Sequence, residues 1–197
     1  MKEELQNPMQ ELMDVPIWFL VKISKKADGT LSKVPFSAFG GKTGTNNAHS
    51  ATWVTYQEAM AAKEKFHAES IGFKIPEGYF FEDIDHKPVS SSYVQMMLKR
   101  YASYAESSVS GNDIHIYGKV DMDKLPAYMN DKGQTKLDRQ FYMKNPHIGT
   151  ELYMGGLTNR FACYTGNVIF DAPLKDCTQA VLTTLDKDMR RKLNLIK

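Results

Sequence analysis

The segment FFEDIDHK, residues 80–87, holds two aspartates two positions apart in a stretch that otherwise has the composition of a strand. Because residues two apart on a strand point to the same face, Asp83 and Asp85 are predicted to project together, with Ile84 turned toward a core. Two ionised carboxylates this close repel each other, and a divalent cation such as Mg²⁺ relieves the repulsion. The pair alone leaves two interpretations open: a metal site, or one aspartate in solvent and the other capping the next segment.

A second polar strand is predicted in the segment ESSVSGNDIHIYGKV, residues 106–120. Its side chains alternate between two faces. The polar face carries Asp113, His115, Tyr117 and Lys119. The turn before the strand contains Ser108 and Ser110, and small residues, hydroxyls, imidazole and ammonium groups all suit phosphate oxygens. A solvated sheet face that follows a turn explains the same pattern equally well.

The segment TELYMGGLTNRFACYTGN, residues 150–167, adds one acid and one cation. Glu151 and Arg160 fall on two predicted strands on either side of the Gly155-Gly156 turn. They would supply a third metal ligand and a phosphate clamp, although each residue taken singly is typical of an ordinary surface. Together, the carboxylate pair, the phosphate-binding face and the third acid are the parts that metal-dependent nucleotidyl transfer requires.

The elements that would position these residues alternate without a regular βαβ rhythm, which indicates an α+β fold. Strands are predicted at residues 16–24, 31–39, 70–75, 79–85, 113–120, 151–154 and 160–165, with Pro35 placing the second at an edge or bend. Helices are predicted at about 55–68, 91–103 and 176–193, the first with a Thr55–Glu58 capping box. Residues 1–14 are predicted to be a lead-in, and the polar stretch 121–146 a long loop.

Composition narrows the class of protein. A chain of 197 residues can bury one sizeable core or two small modules, and a net charge of +2 does not by itself argue for nucleic-acid binding. The two cysteines, Cys163 and Cys177, lack the spacing of a zinc site or a disulfide framework. No apolar run approaches the roughly 18 residues of a membrane span, and the N-terminus lacks the apolar core of a signal peptide. We therefore expect a soluble, cytoplasmic protein without a membrane partner.

The order of these motifs resembles the primase–polymerase domain of the archaeo-eukaryotic primase superfamily, in the form found in replication proteins of phages, plasmids and integrated elements. FFEDIDH is similar to its first motif, an apolar strand ending in Asp-x-Asp, and SVSGNDIHI to its second, Ser-x-Ser-Gly-x-Gly-x-His-Ile. Glu151 and the block NRFACYTG resemble the third motif and the segment after it. WFLVK, KVPF and ATWVTYQEAM extend the resemblance over residues 18–166. Asp113 departs from the family, which usually has Ser or Gly there.

The resemblance implies a two-module fold. An N-terminal α/β module would cover about residues 15–75 and an RRM-like sheet about 76–170, with the active site in the cleft between them. Residues 171–197 would form a C-terminal helical segment, which in such proteins leads to a helicase region absent from this chain. The implied activity is that of a DNA primase/polymerase, which joins nucleoside triphosphates on a single-stranded or primed DNA template during replication of a phage, plasmid or integrated element.

The resemblance also implies roles for individual residues. Asp83, Asp85 and Glu151 would hold two Mg²⁺ or Mn²⁺ ions, with His115 as a further catalytic residue. The nucleotide would contact Ser108, Ser110 and His115, with Lys119 and Arg160 as supporting cations. Template binding would draw on residues such as Lys22, Lys33 and the basic residues of 121–146. Three alternatives remain: a polymerase that extends but cannot start strands, a catalytically silent nucleotide- or single-strand-binding module, and a metal-dependent nuclease.

Overall fold

The computed structural model describes residues 7–191, and its architecture is the mixed α+β class that the sequence predicts. The α-helices of this part of the chain are α1 (Gln10–Met13), α2 (Tyr56–Phe66), α3 (Ser92–Tyr101) and α4 (Thr178–Lys187). The strands are β1 (Trp18–Lys25), β2 (Leu31–Phe36), β3 (Ser70–Lys74), β4 (Tyr79–Ile84), β5 (Ala105–Ser107), β6 (Ile114–Lys119), β7 (Ala127–Met129), β8 (Thr135–Leu137), β9 (Lys144–Asn145), β10 (Thr150–Met154), β11 (Phe161–Tyr164) and β12 (Val168–Phe170). Within residues 7–191, no helix is both long enough and apolar enough to cross a bilayer.

The strands form three antiparallel sheets. The first sheet has the order β11-β3-β1-β2, and β2, which contains Pro35, lies at its edge as predicted. The second sheet has the order β12-β5-β6-β4-β10-β9. The third is the hairpin of β7 and β8.

A buried aromatic cluster around Trp18 joins the first sheet to α2. The Trp18 ring lies with its centroid 4.7 Å from that of Phe73 and 5.2 Å from that of Tyr56. Its indole N–H donates to the Leu12 carbonyl at 2.7 Å, so this large side chain is buried with its polar atom paired. The predicted capping box starts α2, where the Glu58 carboxylate accepts from the Thr55 backbone N–H at 2.8 Å.

The second sheet has two buried faces of different character. One face carries apolar residues such as Ile84, Ile116 and Leu152, and α3 and α4 pack on it. This arrangement agrees with the predicted inward orientation of Ile84. The other face is turned toward the first sheet, and its Phe81 and Tyr117 share a core with residues of that sheet. Polar side chains on this second face therefore lie between two layers rather than in open solvent.

The prediction that residues 121–146 form a long loop is wrong. This segment contains the β7–β8 hairpin, and its last strand, β9, pairs with β10 at the edge of the second sheet. These strands have only two or three residues each, so the alternation of apolar and polar residues on which strand prediction rests is too short to be recognised. The same limit explains why the three-residue strands β5 and β12 were not predicted.

The two sheets do not coincide with the two predicted segments 15–75 and 76–170. After β10 in the second sheet, the chain turns at Gly155 and continues as β11 in the first sheet, beside β3. A Cβ at Gly155 would lie 1.8 Å from the Pro76 carbonyl oxygen, so the close approach at this crossing requires glycine. Helix α4 also ends at Lys187, earlier than predicted, and the predicted positions 192–193 lie outside the described residues.

Glu82 is a carboxyl group buried on the helix-covered face of the second sheet. It is fully buried, and neither carboxylate oxygen has a hydrogen-bond partner among the described residues. Desolvation raises the pKa of Glu82 from 4.5 to about 8, so the folded protein keeps this group neutral near pH 7.

We expect the stability of the protein to fall as the pH rises, because of Glu82. The contribution of the Glu82 carboxyl group to the free energy of unfolding is fully present below its unfolded-state pKa of 4.5. It is lost as the pH rises through the folded-state pKa of about 8. Over that interval the free energy of unfolding should decrease by up to about 1.4 kcal/mol per pH unit. Glu82→Gln, which cannot ionise, should lose this slope in melting temperatures measured between pH 5.5 and 8.5 with EDTA present. Glu64→Gln, an exposed control on α2, should keep it. Parallel curves for wild type and Glu82→Gln would contradict the expectation.

Candidate active site

Strand register places a row of charged side chains across the second sheet. Directly paired residues of neighbouring antiparallel strands lie on the same face. Along the row, the pairs are Glu106 with His115, His115 with Asp83, Asp83 with Glu151, and Glu151 with Lys144. The row thus crosses five strands in the spatial order β5, β6, β4, β10 and β9, on the face that is turned toward the first sheet.

A cavity of about 370 Å³, here called the intersheet cavity, opens along this row. The second sheet contributes Phe81, Asp83, His115, Lys144, Glu151 and Tyr153, and the first sheet contributes Leu31, Lys33, Phe161 and Cys163, with Arg160 just before β11. Both signs of charge line the cavity: carboxylates on β4 and β10 face cations on β2 and the approach to β11, and a lysine on β9 lies beside the β10 carboxylate. Such a cavity suits a ligand that carries phosphate groups and a divalent cation.

Three carboxylates come together beside the middle of this row, where β4 ends and β6 begins. Asp83, Asp85 and Asp113 each offer an oxygen within 4.8 Å of the other two, and we call them the acidic cluster. Burial raises the pKa of Asp83; His115 opposes this shift, whereas the charges of Asp85 and Asp113 add to it. The buried Oδ1 of Asp83 has no hydrogen-bond partner among residues 7–191. An unpartnered buried oxygen beside two further carboxylates is a donor set that fits a hard divalent cation.

Asp113 is held in the cluster by the turn that precedes its strand. Its Oδ2 accepts hydrogen bonds from the hydroxyls of Ser108 at 3.0 Å and Ser110 at 3.1 Å, and its Oδ1 accepts from the His86 backbone N–H at 3.1 Å. Burial by itself would raise the pKa of Asp113, but these hydrogen bonds and the nearby His86 ring lower it below 3.8 overall. Asp113 is therefore ionised, and the residue that departs from the family motif adds its charge directly to Asp83 and Asp85.

Glu151 lies opposite Asp83 in the register but outside the acidic cluster. Its Oε1 is paired with the Lys144 ammonium group, and its Oε2 accepts a hydrogen bond from the Tyr153 hydroxyl. Both oxygens of the predicted third metal ligand are thus occupied by other groups. The structure brings Asp113 to the aspartate pair instead, a residue for which the sequence predicted a position near phosphate.

The predicted nucleotide-binding residues are spread over different parts of the molecule. His115 and Arg160 line the intersheet cavity. Ser108 and Ser110 do not line it, and their hydroxyls are used on Asp113. Lys119 lies four residues beyond His115, where its ammonium group pairs with Glu11 at 2.6 Å, and it also does not line the cavity.

Glu106 is a functional candidate that the sequence did not reveal. This carboxylate is completely buried and accepts hydrogen bonds from four donors. The donors are the hydroxyls of Tyr104 at 3.1 Å and Tyr117 at 3.0 Å, and the backbone N–H groups of Thr165 at 3.2 Å and Gly166 at 2.9 Å. Its strand has only three residues, and nothing in the spacing of ESSVSG distinguishes Glu106 from an exposed acid. Lys144, which lines the cavity from the unpredicted β9, was missed for the same reason.

Glu106 fixes the orientation of His115 through Tyr117. The Tyr117 hydroxyl can donate to the Glu106 carboxylate or to the Cys163 carbonyl, both of which only accept. When the hydroxyl proton lies on either of these acceptors, the 3.3 Å contact between the hydroxyl oxygen and His115 Nδ1 is a bond that Nδ1–H donates. His115 Nε2 then faces Asp83, 3.7 Å from its Oδ1. The network holds the imidazole edge at the wall of the cavity.

Replacing Glu106 should destabilise the fold. Glu106→Gln keeps the shape but puts an amide NH₂ group where donors converge, which leaves at least one buried donor without an acceptor. We expect the free energy of unfolding, measured by urea denaturation, to fall by roughly 1–3 kcal/mol for each such donor. Tyr104→Phe, which removes one donor and leaves the carboxylate accepting from the other three, should cost only about 0.5–1.5 kcal/mol. Equal stability of Glu106→Gln and wild type would show that the carboxylate does not organise these groups.

Binding of Mn²⁺ should depend more on Asp113 than on Glu151. Asp113 belongs to the acidic cluster, whereas both oxygens of Glu151 are already paired. In calorimetric titration of nucleotide-free protein, Asp113→Asn should weaken Mn²⁺ binding by at least about tenfold, and Glu151→Gln by less. The exposed Asp171→Asn serves as a control and should bind as the wild type does. A larger effect of Glu151→Gln would return the third-ligand role to that residue.

Comparison with known proteins gives a partial match to a phage protein and no family assignment. No protein-family model matches the chain. A protein named DNA Primase-polymerase, from Nitratiruptor phage NrS-1, is 32% identical over 114 residues, which cover 54% of this chain and 15% of that protein. The chain thus spans well under a fifth of the relative's length. The match supports a relationship to a primase-polymerase at moderate identity, over about half of the chain.

Proposed function

We propose that this chain carries out template-dependent nucleotidyl transfer, as the catalytic part of a DNA primase/polymerase. The observation that carries the proposal is the position of Asp83, which belongs to the acidic cluster and also lines a cavity with cations on its other walls. Metal ligands and phosphate-binding groups must meet in this way for a nucleoside triphosphate to react. The similarity to the phage DNA Primase-polymerase favours this activity over other uses of such a site.

The cations of the intersheet cavity would receive the triphosphate. Lys33 and Arg160 line the cavity from the side of the first sheet, opposite Asp83 and Glu151, and Lys144 lies beside Glu151 on β9. Arg160 lies 5.7 Å from the centroid of the Tyr153 ring, which directs its guanidinium group along the cavity wall. In this proposal Lys33 and Lys144 contribute to nucleotide binding, whereas Lys119 does not, because it is paired with Glu11.

The acidic cluster would hold the divalent cations. Asp83, Asp85 and Asp113 fit Mg²⁺ or Mn²⁺ as hard oxygen ligands, and Glu151 could join them once its ion pair with Lys144 opens. When bound, two such ions would lower the pKa of the primer 3′-hydroxyl and neutralise charge on the leaving pyrophosphate. His115 would place its Nε2 edge beside the Asp83 carboxylate at the wall of the cavity. Ser108 and Ser110 act in this proposal through Asp113, whose position they fix.

The relative suggests the setting of this activity. It is a phage protein much longer than the matched region, so we propose that the present chain serves replication of a phage, plasmid or integrated element. Its substrates would be deoxynucleoside or ribonucleoside triphosphates and a single-stranded or primed DNA template. Association with a helicase region would then come from other parts of a longer protein or from a separate partner.

A primer-extension assay tests the proposed function. With a labelled primer on a DNA template, nucleoside triphosphates and Mg²⁺ or Mn²⁺, we expect extension by the wild type. Asp85→Asn should reduce the extension rate by about a thousandfold or more, because the metal site contributes several kcal/mol to transition-state stabilisation. Asp171→Asn, an exposed aspartate after β12, is the matched control and should extend at the wild-type rate.

The same assay separates the alternatives. Metal-dependent shortening of the labelled strand would indicate a nuclease in place of a polymerase. Nucleotide binding without extension under any metal condition would indicate a silent binding module. If an unlabelled, unprimed template yields new strands from labelled nucleotides, the chain starts strands as well as extending them. Wild-type activity in Asp85→Asn would exclude the acidic cluster as the catalytic centre.

A further inference from the structure

A second concave surface lies directly beside the intersheet cavity. It has a volume of about 640 Å³ and runs along the β7–β8 hairpin, and we call it the hairpin groove. The residues that matter for its chemistry are Tyr128, Lys136, Arg139, Phe141, Lys144 and Arg191. Lys144 lines both the groove and the intersheet cavity, so the two spaces meet at this side chain.

Of the four cations that line the groove, Lys144 is paired with Glu151, and the other three have no acidic partner among the described residues. Within residues 7–191, no carboxylate lies at ion-pair distance from Lys136, Arg139 or Arg191. No acidic residue is among the described lining residues. The nearest acid in the sequence, Asp138, accepts the Gln140 backbone N–H at 2.9 Å and does not line the groove. Uncompensated cations in a concave surface concentrate positive potential and attract an anion.

Aromatic rings are placed among these cations. The partly exposed Tyr128 lies on β7, and the Arg139 side chain crosses its ring at 5.9 Å while donating from Nε to its hydroxyl at 3.1 Å. Arg191 donates from Nε to the Phe141 carbonyl at 3.2 Å, which fixes the guanidinium at the groove wall. Cations that follow a groove, with aromatic side chains between them, are the pattern by which proteins bind single-stranded nucleic acid.

We propose that the hairpin groove binds the phosphate backbone of single-stranded DNA and leads the strand to the active site at Lys144. A single strand suits the groove because its phosphates can follow successive cations and its bases can turn toward Tyr128. The proposal rests on the proposed polymerase function only in identifying that strand as template or primer. It assigns a use to the segment 121–146, whose hairpin the catalytic row does not require.

Binding of a fluorescent oligothymidine, followed by anisotropy in EDTA over a range of salt concentrations, tests the proposal without requiring catalysis. The groove variant is Lys136→Gln with Arg139→Gln, which leaves Lys144 and Arg191 in place. If each cation neutralises one phosphate, the slope of log affinity against log salt should become shallower by about 1.4. The same relation corresponds to roughly 25-fold weaker binding at 0.1 M salt.

A matched control removes the same charge elsewhere. Lys26→Gln with Lys65→Gln neutralises two exposed lysines, one in the β1–β2 turn and one on α2, and should leave both affinity and slope as in the wild type. In a separate arm, Tyr128→Ala should weaken binding by at least about fivefold with a nearly unchanged slope, because stacking does not release counterions. Circular dichroism and thermal melting verify that each variant is folded.

The outcomes distinguish this proposal from the polymerase function. Weaker strand binding by the groove variant alone supports the groove, whatever the extension assay shows. Equal weakening in groove and control variants would reveal general electrostatic attraction and overturn the proposal. Unchanged strand binding combined with weaker binding of a single nucleoside triphosphate would also overturn it, because the groove would then belong to the nucleotide. Failure of primer extension in wild type would count against polymerase activity and leave the strand-binding result standing.

Discussion

Repulsion among carboxylates that share one buried sheet face is the constraint around which this molecule is organised. Register alone brings Glu106, Asp83 and Glu151 onto a single row, with His115 between the first two. Each acid outside the aspartate pair has its own set of donors: four for Glu106, the serine turn and His86 for Asp113, and Lys144 with Tyr153 for Glu151. Asp83 keeps one buried oxygen without such a donor. The carboxylate that lacks donors is thus Asp83, and this residue lines the intersheet cavity.

Two consecutive residues of β4, Glu82 and Asp83, are buried carboxyl groups in two different environments. Glu82 points to the helix-covered face, where desolvation outweighs the nearby Tyr101 hydroxyl and Arg100 charge and keeps the carboxyl group protonated near neutral pH. Asp83 points to the opposite face, where His115 counteracts part of the desolvation. The alternation of a strand therefore sorts one acid into the core and its neighbour into the site. A shift of register by one residue would exchange the two environments, so strand pairing must be well determined here.

The sequence predicted those parts of the fold that have long, regular patterns. The amphipathic strand around His115 and the capping box at Thr55 were recognisable because several consecutive residues obey one period or one local hydrogen-bond rule. The aspartate pair was found by spacing alone. Glu106, Lys144 and the role of Asp113 were not predictable in this way, because each depends on a strand of two or three residues or on a turn, which are too short to show a periodic pattern. Two of the four donors that hold Glu106 come from residues about sixty positions later.

The crossing at Gly155 means that the two sheets are interleaved along the chain in the order first, second, first, with β12 then returning to the second sheet. Neither sheet is a continuous stretch of sequence, so recombination at a single point cannot transfer one of them intact. A fragment ending near residue 75 would leave β3 with a bare edge where β11 belongs. The backbone that follows β11 also supplies two of the donors to Glu106. Because residues of both sheets line the cavity, the two sheets must be passed on together for the cavity to persist in evolution.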